Sequence, residues 1–191
     1  LRMDERQAAR EATAHLLSHG YREVGIITGP AWMLNTRDRL QGWRDAMEHA
    51  GLAVNPHWVV PADYTRQGGY QAALHLLSGP GCPRALFVCN EQMAIGSLRA
   101  FHQQGIRVPD DLAIVGFNGT DQGAYHLPSL TSVRQPIAEI AATAIRLLHE
   151  WQAGGGLHDI RHFLEPGASC GCPAGSPSLP PGLRNNATDT Y

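Results

Sequence analysis

Two asparagines occupy positions where this chain could recognise a ligand. The apolar runs Ala85–Cys89 and Leu112–Phe117 each end in an amide residue, Asn90 and Asn118. In an open parallel sheet, ligands bind just beyond the carboxyl ends of the strands. A carboxamide both donates and accepts hydrogen bonds, so Asn90 suits a polyol. Asn90 is also well placed to cap the helix that begins at Glu91, and both roles remain open.

Other reactive residue types form no recognisable catalytic pattern. There is no P-loop, no G-x-S-x-G and no H-E-x-x-H. The stretch Gly116–Gly119 is too short for a dinucleotide fingerprint. The chain is therefore not expected to be an enzyme, and no cofactor is expected. The four cysteines are Cys82, Cys89, Cys170 and Cys172. Cys89 lies in an apolar strand and reads as a small core residue. Cys170 and Cys172 form a C-x-C in a Gly/Pro-rich stretch, with no second pair at zinc-site spacing. His158 and His162 lie four apart, but in a loop–strand region rather than on a helix. No metal site is expected. A reduced, cytoplasmic compartment is the simpler reading of these cysteines.

A chain of 191 residues suffices for one domain with a core of its own, or for part of a larger one. With 43% hydrophobic and 17% charged residues the composition is that of an ordinary globular chain. The net charge of -2, with 15 scattered Arg and no Lys, leaves no electrostatic footprint for nucleic acid within these residues. No apolar run approaches a membrane span, and no signal peptide is visible.

The elements that would carry the asparagines alternate in type. Helices are predicted over Asp4–His19, Arg39–Ala50, Gly68–Leu77, Gln92–Gln104 and Ile137–Glu150. Strands are predicted at Val24–Thr28, Trp58–Val60, Ala85–Cys89, Leu112–Phe117, Leu130–Val133 and Ile160–Leu164. Helix–strand alternation with short connections argues for an α/β fold with a parallel sheet and helices on both faces. Ala153–Gly156 reads as a flexible break. Residues 166–191, rich in Pro, Gly, Ser and Asn, read as a disordered tail.

Four blocks, in order and at compatible spacing, resemble one family. They are HLLSHGYREVGIITGP, RLQGWRDAMEHAGL, CNEQMAIGSLRAFHQQGIRVPDDLAIVGFNG and LPSLTSVRQPIAEIAATAIRLL. The text resembles the effector-binding domain of LacI/GalR-type transcription regulators from about Asp4 to Cys170. The resemblance implies a Rossmann-like subdomain of a periplasmic-binding-protein-like domain over residues 1–165. Segment 130–156 would then cross to an N-terminal subdomain that this text does not contain. The operator-reading helix-turn-helix is likewise not matched. The chain is thus expected to be a fragment or a truncated gene product. On the predicted helix at Ile137, four large side chains (Ile137, Ile140, Ile145, Leu148) would each forgo about 1.5–3 kcal/mol if left wet.

The resemblance also implies the site. Arg39 matches the family's helix-leading arginine, whose planar fork of donors suits vicinal hydroxyls or a carboxylate. Tyr64 stands where the family places an aromatic able to stack on a sugar. Asn90, Asn118, Met33, Asn35 and Gln135 complete the implied ligand-binding set. Asn118 replaces the family's usual Asp, which would leave Arg39 without a compensating carboxylate there. That substitution points to a sugar acid or phosphosugar ahead of a neutral sugar. Met93, Ile95, Leu98 and Tyr125 are implied to lie at a homodimer interface. The function implied is effector sensing that controls operator binding, without a membrane. The alternative is a periplasmic sugar-binding protein of a transporter.

Overall fold

The computed structural model describes residues 1–149 and 158–172. Its elements run β1 (Arg2–Met3), α1 (Glu5–Ser18), β2 (Val24–Thr28), α2 (Leu34–His49), β3 (Val59–Pro61), α3 (Arg66–Ser78), β4 (Ala85–Val88) and α4 (Glu91–Gln103). They continue with β5 (Ala113–Phe117), α5 (Asp121–Ala124), β6 (Thr131–Arg134), α6 (Ile137–His149), β7 (Asp159–Ile160) and β8 (Phe163–Glu165).

Every residue of β2, β4 and β5 is buried. Strands covered on both faces must be apolar throughout, which is why these three read as continuous hydrophobic runs. They form the middle of a six-stranded sheet of order β3-β2-β4-β5-β6-β8. All neighbours are parallel except β8, which runs antiparallel to β6. α1 packs with α2 and α3 with α4, giving the sheet its two helical layers. The α/β fold inferred from the sequence is the one observed.

Side-chain caps start several helices where the sequence indicates them. Asp4 accepts from the Gln7 amide at 2.9 Å, Thr65 from Gly68 at 2.9 Å and Asn90 from Met93 at 2.8 Å. Each satisfies a backbone donor that the first turn of a helix leaves unpaired.

Four expectations are corrected. α2 begins at Leu34 rather than Arg39, because Met33 enters the helix without any side-chain cap to announce it. The last predicted strand is two: β7 pairs with β1 in a separate two-stranded sheet, and β8 joins the main one. Residues 131–134 do not belong to a crossover, since β6 is an internal strand with Thr131, Ser132 and Val133 buried. Residues 166–172 are no loose tail. Ser169 and Cys170 are buried, and Ser169 Oγ donates to the Ile114 carbonyl at 2.7 Å, which fixes the segment to β5. The expected break at 153–156, the helix end at Glu150 and residues 173–191 lie outside the described residues.

Candidate functional site

Strand order reverses direction around β2: β3 lies on one side of it and β4 on the other. At such a switch point the connections leave in opposite directions and open a crevice at the carboxyl edge of the sheet. Arg39, on α2, reaches across this edge. Its side chain is 3% exposed, and its Nε donates to Glu5 Oε2 at 2.6 Å. Its Nη1 donates to the Cys89 carbonyl, just past the end of β4. Its Nη2 lies 3.5 Å from Asn118 Oδ1, and its guanidinium carbon sits 3.8 Å from the centre of the Phe117 ring. A guanidinium has five N–H donors. Three are directed at these acceptors.

Glu5 is the residue that sequence reasoning missed. Its side chain is one-fifth exposed and forms the ion pair with Arg39. Arg39 therefore has its compensating carboxylate, supplied by α1 rather than by position 118. The premise that favoured an anionic ligand is removed. The sole signal in the text was an acidic residue in the first turn of a helix, and that is common to many helices.

The other implied residues gather around this pair. Asn118 Oδ1 accepts from Gln135 Nε2 at 3.3 Å, so Gln135 and Arg39 both point at one amide oxygen. The Asn118 Nδ2 meets no acceptor among the described residues. Tyr64 and Asn118 both hold left-handed backbones, with φ of 67° and 84°. That conformation is costly for a residue with a Cβ, and such costs concentrate where side chains are aimed at a ligand. The Tyr64 hydroxyl lies 2.7 Å from Thr36 Oγ1, and it donates to Asn35 Oδ1 at 3.5 Å. One side of the Tyr64 ring is taken up by Gly29: a Cβ there would fall 2.1 Å from Cζ. Burial raises the Tyr64 hydroxyl above its usual pKa, against the opposing pull of the Thr36 hydrogen bond.

Asn90 is committed to structure. Its Oδ1 caps α4 and its Nδ2 donates to the Tyr64 carbonyl at 2.9 Å. Of the two roles open to it, capping is the one observed, and it also holds the Tyr64 turn. Met33 is half-buried at the entrance to α2, and Asn35 lies in the first turn of α2 rather than in a loop. Burial pushes the neighbouring Cys89 thiol up to about 12. Cys89 is fully buried in the hydrophobic core.

Of the four residues expected at a dimer interface, Met93 belongs to the core, while Leu98, though buried, also lines a surface groove. Met93 is fully buried and Leu98 is 7% exposed, because α4 turns this face to α3 and the sheet. Ile95 is half-buried, and Tyr125 is 81% exposed. A groove of about 580 Å³ is bordered by Ile95, Leu98, Tyr70, Arg99, His126 and Leu127, and Tyr125 is not part of its lining.

Residues 13–169 match the family described as periplasmic binding protein-like domain. The chain belongs to this family, as an effector-binding domain of the LacI type. It is 37% identical over 137 residues to the ribose operon repressor of Haemophilus influenzae, covering 72% of this chain and 41% of that protein. It is 34% identical over 139 residues to the HTH-type transcriptional repressor PurR of Pasteurella multocida, covering 73% and 42%. Among solved structures, a LacI-family sugar-binding transcriptional regulator from Escherichia coli complexed with phosphate superposes with a TM-score of 0.82. The identity is 28%, over 88% of this chain and 62% of that one. The chain thus spans about two fifths of the length of these curated relatives. Both relatives are named as repressors. No helix among the described residues is long and apolar enough to cross a membrane.

Proposed function

We propose that this chain is the sensing part of a LacI-type repressor, and that it binds a small neutral sugar at the carboxyl edge of its sheet. The observation that carries the proposal is the buried Arg39, neutralised by Glu5 at 2.6 Å, with its remaining donors beside the amides of Asn118 and Gln135. Such a site holds an array of donors and acceptors with little net charge, which complements hydroxyls better than a carboxylate or phosphate. Tyr64, Asn35 and Met33 border it, and Asn90 acts by positioning Tyr64. No reaction is catalysed, and no cofactor is used.

In the whole protein, sugar binding would draw a second lobe onto this edge. The same closure would alter how a homodimer presents its operator-reading heads. Such coupling requires the sugar to bind one of the two arrangements better than the other. α6 has no buried residue and exposes Ile137, Ile145 and Leu148. An apolar face of that kind fits contact with the second lobe. The proposed compartment is the cytoplasm, where operator DNA lies.

The test is nitrogen-15 NMR of the chain during titration with ribose, cellobiose, gluconate and ribose 5-phosphate. The expected outcome is saturable shifts of the Asn118 and Gln135 side-chain amides and of Arg39 Nε with a neutral sugar. Stronger saturation by gluconate or the phosphate would overturn the neutral reading. Silence of all three groups with every sugar would overturn the site.

A further inference from the structure

Away from the sugar edge, four metal-ligating side chains converge. His15 lies in the last turn of α1 and His19 is its C-cap residue, and Cys170 and Cys172 follow β8. One ligand atom from each falls within 4.8 Å of all the others. His15 Nε2 is 3.2 Å from Cys170 Sγ and 3.5 Å from Cys172 Sγ, and His19 Nε2 is 3.3 Å from Cys172 Sγ. Ligands at the usual zinc–nitrogen and zinc–sulfur distances of about 2.0–2.3 Å, set at the corners of a tetrahedron, are about 3.3–3.8 Å apart. The three nitrogen–sulfur spacings, 3.2–3.5 Å, lie close to the short end of that range, and the remaining separations are within 4.8 Å. Both cysteines are free thiols.

The geometry points to a structural zinc site made by His15, His19, Cys170 and Cys172. Two thiolates and two imidazoles form a donor set that selects zinc over the hard, oxygen-seeking cations. Four protein ligands close the site and leave no position for a substrate, so the ion would have a structural role. The local structure favours this arrangement. A spacing of four across the C-terminal turn of α1 brings the two imidazoles together, with ring centroids 4.7 Å apart. Gly171, between the cysteines, has φ 91°, a conformation that suits glycine and lets both sulfurs face the same histidine pair. The Cys170 sulfur also has outer partners of the kind that support a ligating thiolate. The Cys172 amide donates to it at 3.4 Å, and the Thr131 hydroxyl lies 3.0 Å away. The ion would fasten the segment after β8 to α1, joining residues 155 apart in the chain.

The text concealed this site by splitting it. The C-x-C has no second cysteine pair, and the H-x-x-x-H spans the last turn and C-cap of an ordinary amphipathic helix.

The experiment is cobalt titration of the metal-stripped chain, with zinc as competitor. The expected result is a visible spectrum with thiolate-to-cobalt charge transfer that saturates at one cobalt per chain and is abolished by one equivalent of zinc. His19→Ala and Cys172→Ser, at the solvent-exposed side of the cluster, are expected to remove the charge-transfer bands. They should also weaken zinc binding by more than about 100-fold, beyond what loss of an outer partner costs. Their circular dichroism with chelator present should match that of the unaltered chain. Cobalt bound without thiolate bands, or bound equally well by both variants, would overturn the site. X-ray absorption of the chain carrying one zinc gives a reading independent of any variant. Two sulfurs near about 2.3 Å and two nitrogens near about 2.0–2.1 Å support the site, and an all-nitrogen-and-oxygen shell refutes it.

Discussion

Arg39 is the residue whose environment decides most about the site. It is a nearly inaccessible cation, with Glu5 as its ion-pair partner. Removing one member of a fully buried pair costs about 3–5 kcal/mol, because the other charge is left unmatched. Glu5 is partly exposed, and glutamine keeps a hydrogen-bond acceptor, so Glu5→Gln should cost about 2–3 kcal/mol in urea unfolding. A loss within about 0.5 kcal/mol would show that the pair contributes as little as a surface one. The same change exposes the guanidinium charge to the ligand, so the preference of the site should move toward sugar acids. Competition of gluconate against ribose, measured in both proteins, reads this directly. The pair also marks where sequence reading stops. Arg39 is conspicuous at the head of a familiar text, but its partner lies 34 residues earlier and becomes visible only when α1 and α2 pack.

At the scale of elements, the well-predicted parts were those governed by local rules. The sequence reading matches β2 to the residue and β4 and β5 within one, because burial on both faces demands continuous apolar runs; β3 and β6 are also matched within one, whereas β8 is not. The missed parts lacked a local signal. The first turn of α2 carries an exposed Leu34 and an uncapped start. α5 is four residues long, and the segment around Ser169 is composed like a loop but anchored by buried hydrogen bonds. The α3–α4 pair shows why small residues sit inside helices. A Cβ at Gly96 would lie 1.9 Å from the Arg66 carbonyl oxygen, and one at Gly69 would lie 2.2 Å from that of Met93. Each helix thus offers a glycine to the backbone of the other. Gly96→Ala should lower the urea midpoint by the equivalent of about 1–3 kcal/mol, the usual cost of overpacking, with an unchanged slope. An unaffected midpoint would mean that the helices can separate freely. Because Tyr64 and Asn90 stand just before these two helices and are joined at 2.9 Å, the variant should also bind sugar more weakly.

At the scale of the molecule, two of the exposed apolar surfaces among the described residues bear on association. On α6, Ile137, Ile145 and Leu148 are 57–70% exposed and fit a second lobe. Leu127, 96% exposed, borders the groove with Ile95, and Tyr125 nearby in sequence is 81% exposed; this is the surface on which the proposed homodimer would form. Either surface can drive association, so a dimer seen in solution does not by itself identify its face. Paired variants can. Tyr125→Asp with Leu127→Asp should weaken sedimentation-measured dimerisation by at least about tenfold, since two charges would have to lose water on contact. Both positions are exposed, and the unfolding midpoint should stay within about 0.5 kcal/mol of the original. Ile145→Glu with Leu148→Glu should leave the dimer intact. The reverse pattern would place self-association on α6 and remove the basis for a dimer through the groove. A chain that stays monomeric at every concentration would show that neither face suffices by itself.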